Sequence, residues 1–381
     1  MSWITGVGLL PFGRHEGKST LDLMSDAAAL ALGDAGLKRA DIDGVLAGYA
    51  TTMPHIMLAT VFCEHFGLSP AYAHGLQVGG ATGFAMAMLA HELIAAGRLR
   101  HVLVVAGENR LSAPGGRDKV VETLAQVGHP VHEVPLGPTI PAYYGLVASR
   151  YMYEHKLSEA DLAELAVLMR THAATHPGAQ FREPITAADV LASKPIARPL
   201  KLLDCCATAD GAAAFVVSRE RTGAAAVRII GAGQAHTHQH ISEAPSLTMF
   251  GARTAMARAL AATGRKLAAT DARYLAIYDS FTITLAILLE ELGLAPRGQS
   301  GQLARDGHFS RAGTKPLNMH GGLMSYGHCG VAGALAHLVE TQLQMTGRAG
   351  TRQVADTDLA ILHGDGGVMS SHVSLIMERQ A

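Results

Sequence analysis

The stretch GGATGFAMAMLAHELIAAGRLRHVLVVAGENR, residues 79–110, is the segment that says most about the fold. It opens on paired glycines, continues as an Ala/Leu/Met-rich helix to residue 97, and leads into the apolar run HVLVVAG at 101–107. Continuous apolar strands are typical of sheets that are covered by helices on both faces. The stretch therefore predicts one helix–strand unit of an α/β protein.

A second copy of this unit follows later in the chain. GHCGVAGALAHLVETQLQMTG at 327–347 is another glycine-opened helix, and DLAILHG at 358–364 is the strand that follows it. A further pair of segments, 22–49 and 252–278, shares the order of helix, short polar turn and apolar strand. This internal echo predicts two similar halves packed as a five-layered α/β/α/β/α body.

The two halves are predicted to span residues 1–222 and 223–381, with a long insertion at 111–207 in the first. The insertion holds the Gly/Pro/His-rich run VGHPVHEVPLGPTIP and then predicted helices near 140–155 and 158–176. Insertions of this length in a compact half are often functional loop regions.

Composition excludes several classes of function. The chain has 381 residues, of which 49% are hydrophobic, and its 31 basic and 32 acidic residues leave a net charge of −1. Nothing in this balance indicates a nucleic-acid-binding face. The N-terminal residues do not resemble a signal peptide, and no apolar run reaches the roughly 20 residues of a membrane span. We therefore expect a cytoplasmic protein.

The cysteines and histidines give no metal-site pattern. The chain has four cysteines, at 63, 205, 206 and 329, and the adjacent pair suits neither a disulfide framework nor a CxxC metal pair. The 20 histidines include no HExxH sequence. We expect no metal and no permanent cofactor.

Four motifs in order resemble the thiolase superfamily, and within it the sterol-carrier-protein type. GGATG at 79–83 resembles the NCATG segment that carries the nucleophilic cysteine, with Gly80 at the cysteine position. LLDCCATADGAAAFVVSRE at 202–220 resembles the segment that closes the N-terminal half. YDSF at 278–281 resembles HDCF, with Tyr278 in place of histidine.

The fourth motif, HGGLMSYGHCGVAG at 320–333, resembles the GHP motif and keeps Gly327 and His328, but has Cys329 where proline stands. The C-terminal HGDGGVMSSH at 363–372 is similar to the final glycine-rich turn of the family, without its second cysteine. The resemblance covers essentially the whole chain and implies a duplicated thiolase fold.

The missing nucleophile determines the functional prediction. Glycine has no side chain with which to form an acyl-enzyme. This pattern of losses resembles the thiolase-like aldolases, which shorten acyl chains carried as CoA thioesters. The resemblance implies retro-aldol cleavage of a β-hydroxyacyl-CoA by a homodimer, in which CoA is part of the substrate and a small zinc-ribbon/OB-fold protein is a partner.

The same resemblance implies the site residues. Tyr278, His328 and Tyr326 are the candidates for proton transfer and oxyanion stabilisation, because an imidazole with a pKa near 6.5 is a reasonable base and a phenol can donate a hydrogen bond. The candidates for substrate binding are His55, Gly80, Asp279, Ser280 and Gly366.

Two other functions stay open on the sequence. One is an acyltransferase or unusual thiolase, for which Cys329 is the candidate nucleophile. The other is a non-catalytic scaffold that binds acyl-CoA or stabilises a partner enzyme. Fold analogy does not choose among the three.

Overall fold

The computed structural model describes residues 2–221 and 226–380, and within them strands and helices alternate. The strands are β1 (Ser2–Leu9), β2 (Gly44–Gly48), β3 (Tyr72–Leu76), β4 (His101–Asn109), β5 (Pro195–Ala197), β6 (Leu200–Lys201), β7 (Asp210–Ser218), β8 (Val227–His236), β9 (Tyr274–Ile277), β10 (Leu359–Gly366) and β11 (Ser371–Arg379). The helices are α1 (Thr20–Ala35), α2 (Leu58–Phe66), α3 (Thr82–Ala95), α4 (Gly116–Ala125), α5 (Ile140–His155), α6 (Glu159–Ala173), α7 (Ala187–Ala192), α8 (Ala252–Ala262), α9 (Thr282–Glu291), α10 (Ser300–Arg305), α11 (Gly322–Ser325) and α12 (Val331–Met345).

The strand order displays the duplication. Nine strands form one sheet in the order β3-β2-β4-β7-β1-β8-β11-β10-β9, and β5 pairs with β6 in a separate hairpin. The order β2-β4-β7-β1 of one half is repeated as β9-β10-β11-β8 in the other. The two half-sheets meet where β1 pairs antiparallel with β8, with Ser2 opposite Ile229. The predicted boundary between residues 222 and 223 lies outside the described residues.

The helices complete the layers. α3 and α12 contact each other and strands of both halves, so they form the central layer. α1 packs against β1, β4 and β7, whereas α8 packs against β8 and β11. The predicted duplicated α/β fold is confirmed, and the helix–strand units come from the segments that the sequence indicated.

The duplication extends to single glycines at the strand–helix contacts. A Cβ added at Gly8 of β1 would overlap the backbone carbonyl of Ala27 in α1. A Cβ at Gly233 of β8 would overlap that of Ala255 in α8 in the same way. Both outer helices therefore lie closer to the sheet than any residue with a side chain would allow.

The insertion forms α4 to α7, and its predicted helices are present as α5 and α6. α6 contacts α9, α10 and α11, and α5 contacts α9, so the insertion lies on the C-terminal half. None of the helices in the described part of the chain is both long and apolar enough to cross a membrane.

Candidate active site

A cavity of about 620 Å³ opens where β2, β4, β9 and β10 end. Open α/β sheets characteristically bind ligands at the carboxyl ends of their strands. The insertion supplies part of the wall through α4 and α5. Four of the residues predicted from the sequence meet on this wall: Gly80, Tyr278, Ser280 and His328.

Tyr278 and His328 form a hydrogen-bonded pair at the centre of the site. The phenol oxygen of Tyr278 lies 3.0 Å from Nε2 of His328. On the other side of the ring, Nη1 of Arg110 lies 3.2 Å from Nδ1 of His328. Arg110 is itself held by the buried carboxylate of Glu108, which also accepts a hydrogen bond from the hydroxyl of Thr51 at 2.8 Å.

These contacts determine the tautomer of His328. A guanidinium only donates hydrogen bonds, and the backbone N–H of Gly330 also donates to Nδ1, at 3.3 Å. Nδ1 must therefore be the acceptor, so the neutral ring carries its proton on Nε2. His328 then donates to the phenol oxygen of Tyr278, which leaves the phenol O–H free to donate into the cavity.

The ionisation of both groups agrees with this direction. Burial and the neighbouring Arg110 charge lower the pKa of His328 to about 3. Burial and the negative charge of Asp365 raise the pKa of Tyr278 well above its ordinary value. The expectation was a base with a pKa near 6.5. The lowered pKa and the hydrogen bonds to Nδ1 instead favour an uncharged ring that donates from Nε2.

Asp365 is a wall residue that the sequence reasoning missed. It is 1% exposed, and its Oδ2 accepts a hydrogen bond from the Tyr144 hydroxyl at 3.2 Å. Burial raises its pKa to about 7. The aspartate lies in the HGDGG turn, from which the sequence analysis selected only Gly366. An acidic residue inside a motif that resembles the family's could have been recognised as a candidate site residue.

Two of the predicted residues lie away from the cavity. The phenol of Tyr326 is buried and donates to the backbone carbonyl of Leu10 at 3.0 Å. The side chain of His55 is exposed on the loop before α2, where its Nδ1 accepts from the backbone N–H of Met57 at 3.0 Å. Neither residue lines the cavity. Tyr326 therefore does not join Tyr278 and His328 in the site.

Two others lie behind the wall. The carboxylate of Asp279 is fully buried and accepts hydrogen bonds from the backbone N–H groups of Leu323 and Met324 at 2.8 and 3.3 Å, which fastens the start of α11. Gly366 packs against the backbone of Val78, with no room for a side chain between them. Both residues therefore stabilise the structure behind the wall and do not line the cavity.

Comparison with known families decides the classification. A family model for the thiolase N-terminal domain matches residues 3–221. A second model, described as thiolase C-terminal domain-like, matches residues 233–379. The chain belongs to the thiolase family.

Curated thiolase relatives include more than one activity. The chain is 29% identical to an acetyl-CoA acetyltransferase of Methanothermobacter thermautotrophicus, over 97% of this chain and 98% of that protein. It is 31% identical to a steroid side-chain-cleaving aldolase of Thermomonospora curvata, over 90% of this chain and 92% of that protein. It is 30% identical to a 17-hydroxy-3-oxo-4-pregnene-20-carboxyl-CoA lyase of Mycobacterium tuberculosis, over 89% of this chain and 92% of that protein.

Solved structures agree on the thiolase fold. The Ltp2-ChsH2(DUF35) aldolase aligns with a TM-score of 0.84 at 27% identity, covering 99% of this chain and 97% of that one. A monomeric SCP2-thiolase-like protein from Mycobacterium smegmatis aligns with a TM-score of 0.75 at 22% identity, covering 100% of this chain and 78% of that one. The second likeness concerns the fold alone.

Gly80, whose motif resembles the thiolase nucleophile segment, has no room for a side chain. A Cβ added at Gly80 would lie 2.5 Å from Cζ of Tyr278 and 2.5 Å from the backbone oxygen of Asp365. Both distances are far inside van der Waals contact, so the phenol occupies the space that a side chain at position 80 would need. Glycine at position 80 and tyrosine at position 278 are thus sterically matched to each other.

Cys206 and Cys329 lie in surroundings that differ from those of a reactive thiolate. Burial raises the pKa of Cys206, which lies on the cavity wall, to about 12. Cys329 is fully buried behind the wall, and burial raises its pKa well above the ordinary value. A thiol is nucleophilic as its thiolate, so these environments disfavour acyl transfer to sulfur.

Proposed function

We propose that this protein is a thiolase-family lyase that cleaves the Cα–Cβ bond of a β-hydroxyacyl-CoA by a retro-aldol reaction. The observation that carries the proposal is the Tyr278 phenol, which fills the nucleophile position and is held there by His328. A site built in this way offers a proton donor where a thiolase would form a covalent bond. The names of the Thermomonospora and Mycobacterium relatives, an aldolase and a CoA lyase, support the same reaction class.

Retro-aldol cleavage transfers negative charge to the thioester carbonyl oxygen as the enolate forms. We assign the stabilisation of that oxygen to the O–H of Tyr278. His328 is a positioning residue, because its Nε2–H takes up one lone pair of the phenol and directs the phenol proton towards the cavity. Arg110 is also a positioning residue, since it maintains the tautomer of His328. One fixed donor to an oxyanion typically contributes about 3–4 kcal/mol.

The wall of the cavity indicates the kind of acyl group. The lining includes the apolar side chains of Val120, Leu124, Val127, Ile140 and Phe281. A cavity of about 620 Å³ is of the size that encloses a drug-sized ligand. We therefore propose that the preferred acyl group is bulky and apolar.

The deciding experiment is a mass-spectrometric product assay with a panel of β-hydroxyacyl-CoAs of increasing acyl size. A shortened acyl-CoA together with a free aldehyde or ketone is the expected result. Binding of the panel without any product, in the presence of a partner protein, would instead indicate a scaffold and would refute the lyase.

Acyl transfer is the second candidate, because acetyl-CoA acetyltransferases are among the relatives that span nearly the whole chain. Intact-mass measurement after incubation with an acyl-CoA separates the two candidates. An acyl adduct on the protein would favour transfer, whereas the lyase is expected to stay at its unmodified mass throughout turnover.

We also propose that the chain functions in the cytoplasm as a homodimer and together with a second protein. The name of the Ltp2-ChsH2(DUF35) aldolase, which joins two components, supports a partner protein. For this chain, a zinc-ribbon/OB-fold protein is the proposed partner. β3 supports the dimer, because it is one of the two edge strands of the nine-stranded sheet and its residues His74 and Gly75 are exposed.

A further inference from the structure

Asp365 and Tyr278 emerge side by side at one edge of the sheet. β9 and β10 run parallel, with Ile277 opposite His363, so both strands end at the same edge. Tyr278 directly follows β9, and its backbone N–H donates to the carbonyl of His363 at 2.9 Å. Asp365 lies two residues further along β10, and both side chains reach the cavity wall.

The carboxylate of Asp365 is incompletely hydrogen-bonded. Oδ2 accepts one hydrogen bond, from the hydroxyl of Tyr144 at 3.2 Å. Oδ1 is buried, and no group in residues 2–221 or 226–380 forms a hydrogen bond to it. A buried acceptor without a partner is destabilising, and more so when it is charged. An unsatisfied atom of this kind on a cavity wall points to a ligand that supplies the missing donor.

Other buried aspartates of the chain provide a comparison. The carboxylate of Asp210 accepts hydrogen bonds from three backbone N–H groups, and that of Asp279 from two. Neither lines the cavity. Asp210 and Asp279 thus have backbone amides on both carboxylate oxygens, whereas Asp365, which lines the cavity, has one oxygen without a hydrogen-bond partner.

We propose that Asp365 is the catalytic base that removes the β-hydroxyl proton, an inference that rests on the proposed lyase function. Oδ1 takes the proton, the β-oxygen forms a carbonyl, and the electrons of the Cα–Cβ bond move into the thioester enolate. Tyr278 donates to the enolate oxygen. The proton on Asp365 is then delivered to Cα, so the reaction is complete with no other reactant.

The surroundings suit a base that operates near neutral pH. Burial raises the pKa of Asp365 to about 7, close to the optimum for general base catalysis at cellular pH. The groups that face it are the neutral phenols of Tyr144 and Tyr278, and His372 on β11, whose pKa is lowered to about 4 by burial. Arg110, Cys206 and His328 line the same cavity.

The sign of the pH dependence follows from the role. A base must be ionised, so kcat/KM is expected to rise with pH and to level off above about pH 7. Tyr144→Phe removes a hydrogen bond that favours the ionised carboxylate, and should move this rise to higher pH. A purely structural Asp365 would give no such shift. A wild-type profile that is flat between about pH 5.5 and 8.5 would overturn the inference even if Asp365 variants failed to fold.

The direct test is Asp365→Asn, which keeps the shape of the side chain and an oxygen to accept from Tyr144. We expect kcat to fall by about 10²–10⁴-fold, with KM within a few-fold of wild type. The control is Asp204→Asn, the same change at a buried aspartate that does not line the cavity, and it should retain turnover.

The two proposals fail in different ways. An Asp365→Asn enzyme within about tenfold of a wild type that cleaves its substrate would refute the base and leave the lyase standing. A wild type that cleaves no β-hydroxyacyl-CoA would overturn the proposed function, and the base with it.

Discussion

Replacing Tyr278 by phenylalanine removes a single oxygen atom from the centre of the proposed active site. That oxygen accepts from Nε2 of His328 at 3.0 Å, and its proton is free to donate to the substrate. Loss of one donor to a developing oxyanion lowers kcat by about 10²–10³-fold, equivalent to about 2.7–4 kcal/mol. KM should change little, because the donor acts mainly on charge that is absent from the bound substrate.

The assay is steady-state cleavage of the best β-hydroxyacyl-CoA over a range of substrate concentrations, followed by mass spectrometry. The matched control is Tyr326→Phe, which removes a buried phenol oxygen that hydrogen-bonds Leu10 outside the cavity. The control should lose about 1 kcal/mol of unfolding free energy and keep wild-type kcat. If Tyr278→Phe retained more than about a third of kcat, or if both variants lost activity equally, the assignment of Tyr278 as the oxyanion donor would be wrong.

Three further predictions concern packing and pH. Gly80→Cys should form no acyl-enzyme by intact mass and should lower kcat at least about tenfold, because the new Cβ displaces the Tyr278 phenol. Gly8→Ala should lower the urea midpoint by the equivalent of about 1–3 kcal/mol, since its Cβ overlaps α1, whereas Gly33→Ala on the exposed side of that helix should raise it by up to about 1 kcal/mol. Burial lowers the pKa of His172 to about 4, so its unfolded form binds the extra proton below about pH 6.5 and stability falls from there to about pH 4. His172→Phe should reduce this acid-induced loss of unfolding free energy by roughly 3 kcal/mol. The measurement is urea denaturation of both proteins at several pH values, and the same pH dependence in wild type and variant would contradict the prediction.

Much of the fold could be read from the chain because it depends on local patterns. The helix–strand units at 79–110 and 327–364 are visible as apolar runs after glycine-opened helices, and both are present in the structure. The insertion helices α5 and α6 were likewise predicted from the residues that form them. The hydrophobic pattern did not predict the order of strands across the sheet. That order depends on contacts between distant segments such as β1 and β8.

The site was predicted in part, for the same reason. Tyr278, His328 and Gly80 lie in motifs that stand next to strand or helix ends, and the fold brings them together. Tyr326 is two residues from His328 in the chain, yet its side chain points to Leu10 on the opposite side of the backbone. Sequence distance does not reveal on which side of a loop a side chain lies.

The sequence by itself determined that this chain is a duplicated α/β protein of the thiolase type, because periodicity and motif order are properties of local segments. Only the tertiary structure decided which side chains surround Gly80. The tautomer of His328 depends on Arg110, which lies 218 residues earlier in the chain. The raised pKa of Asp365 depends on burial, and the phenol that excludes a side chain at position 80 comes from the other half of the molecule. Proton positions and steric exclusion arise from contacts between remote segments, and these exist only once the two halves have packed together.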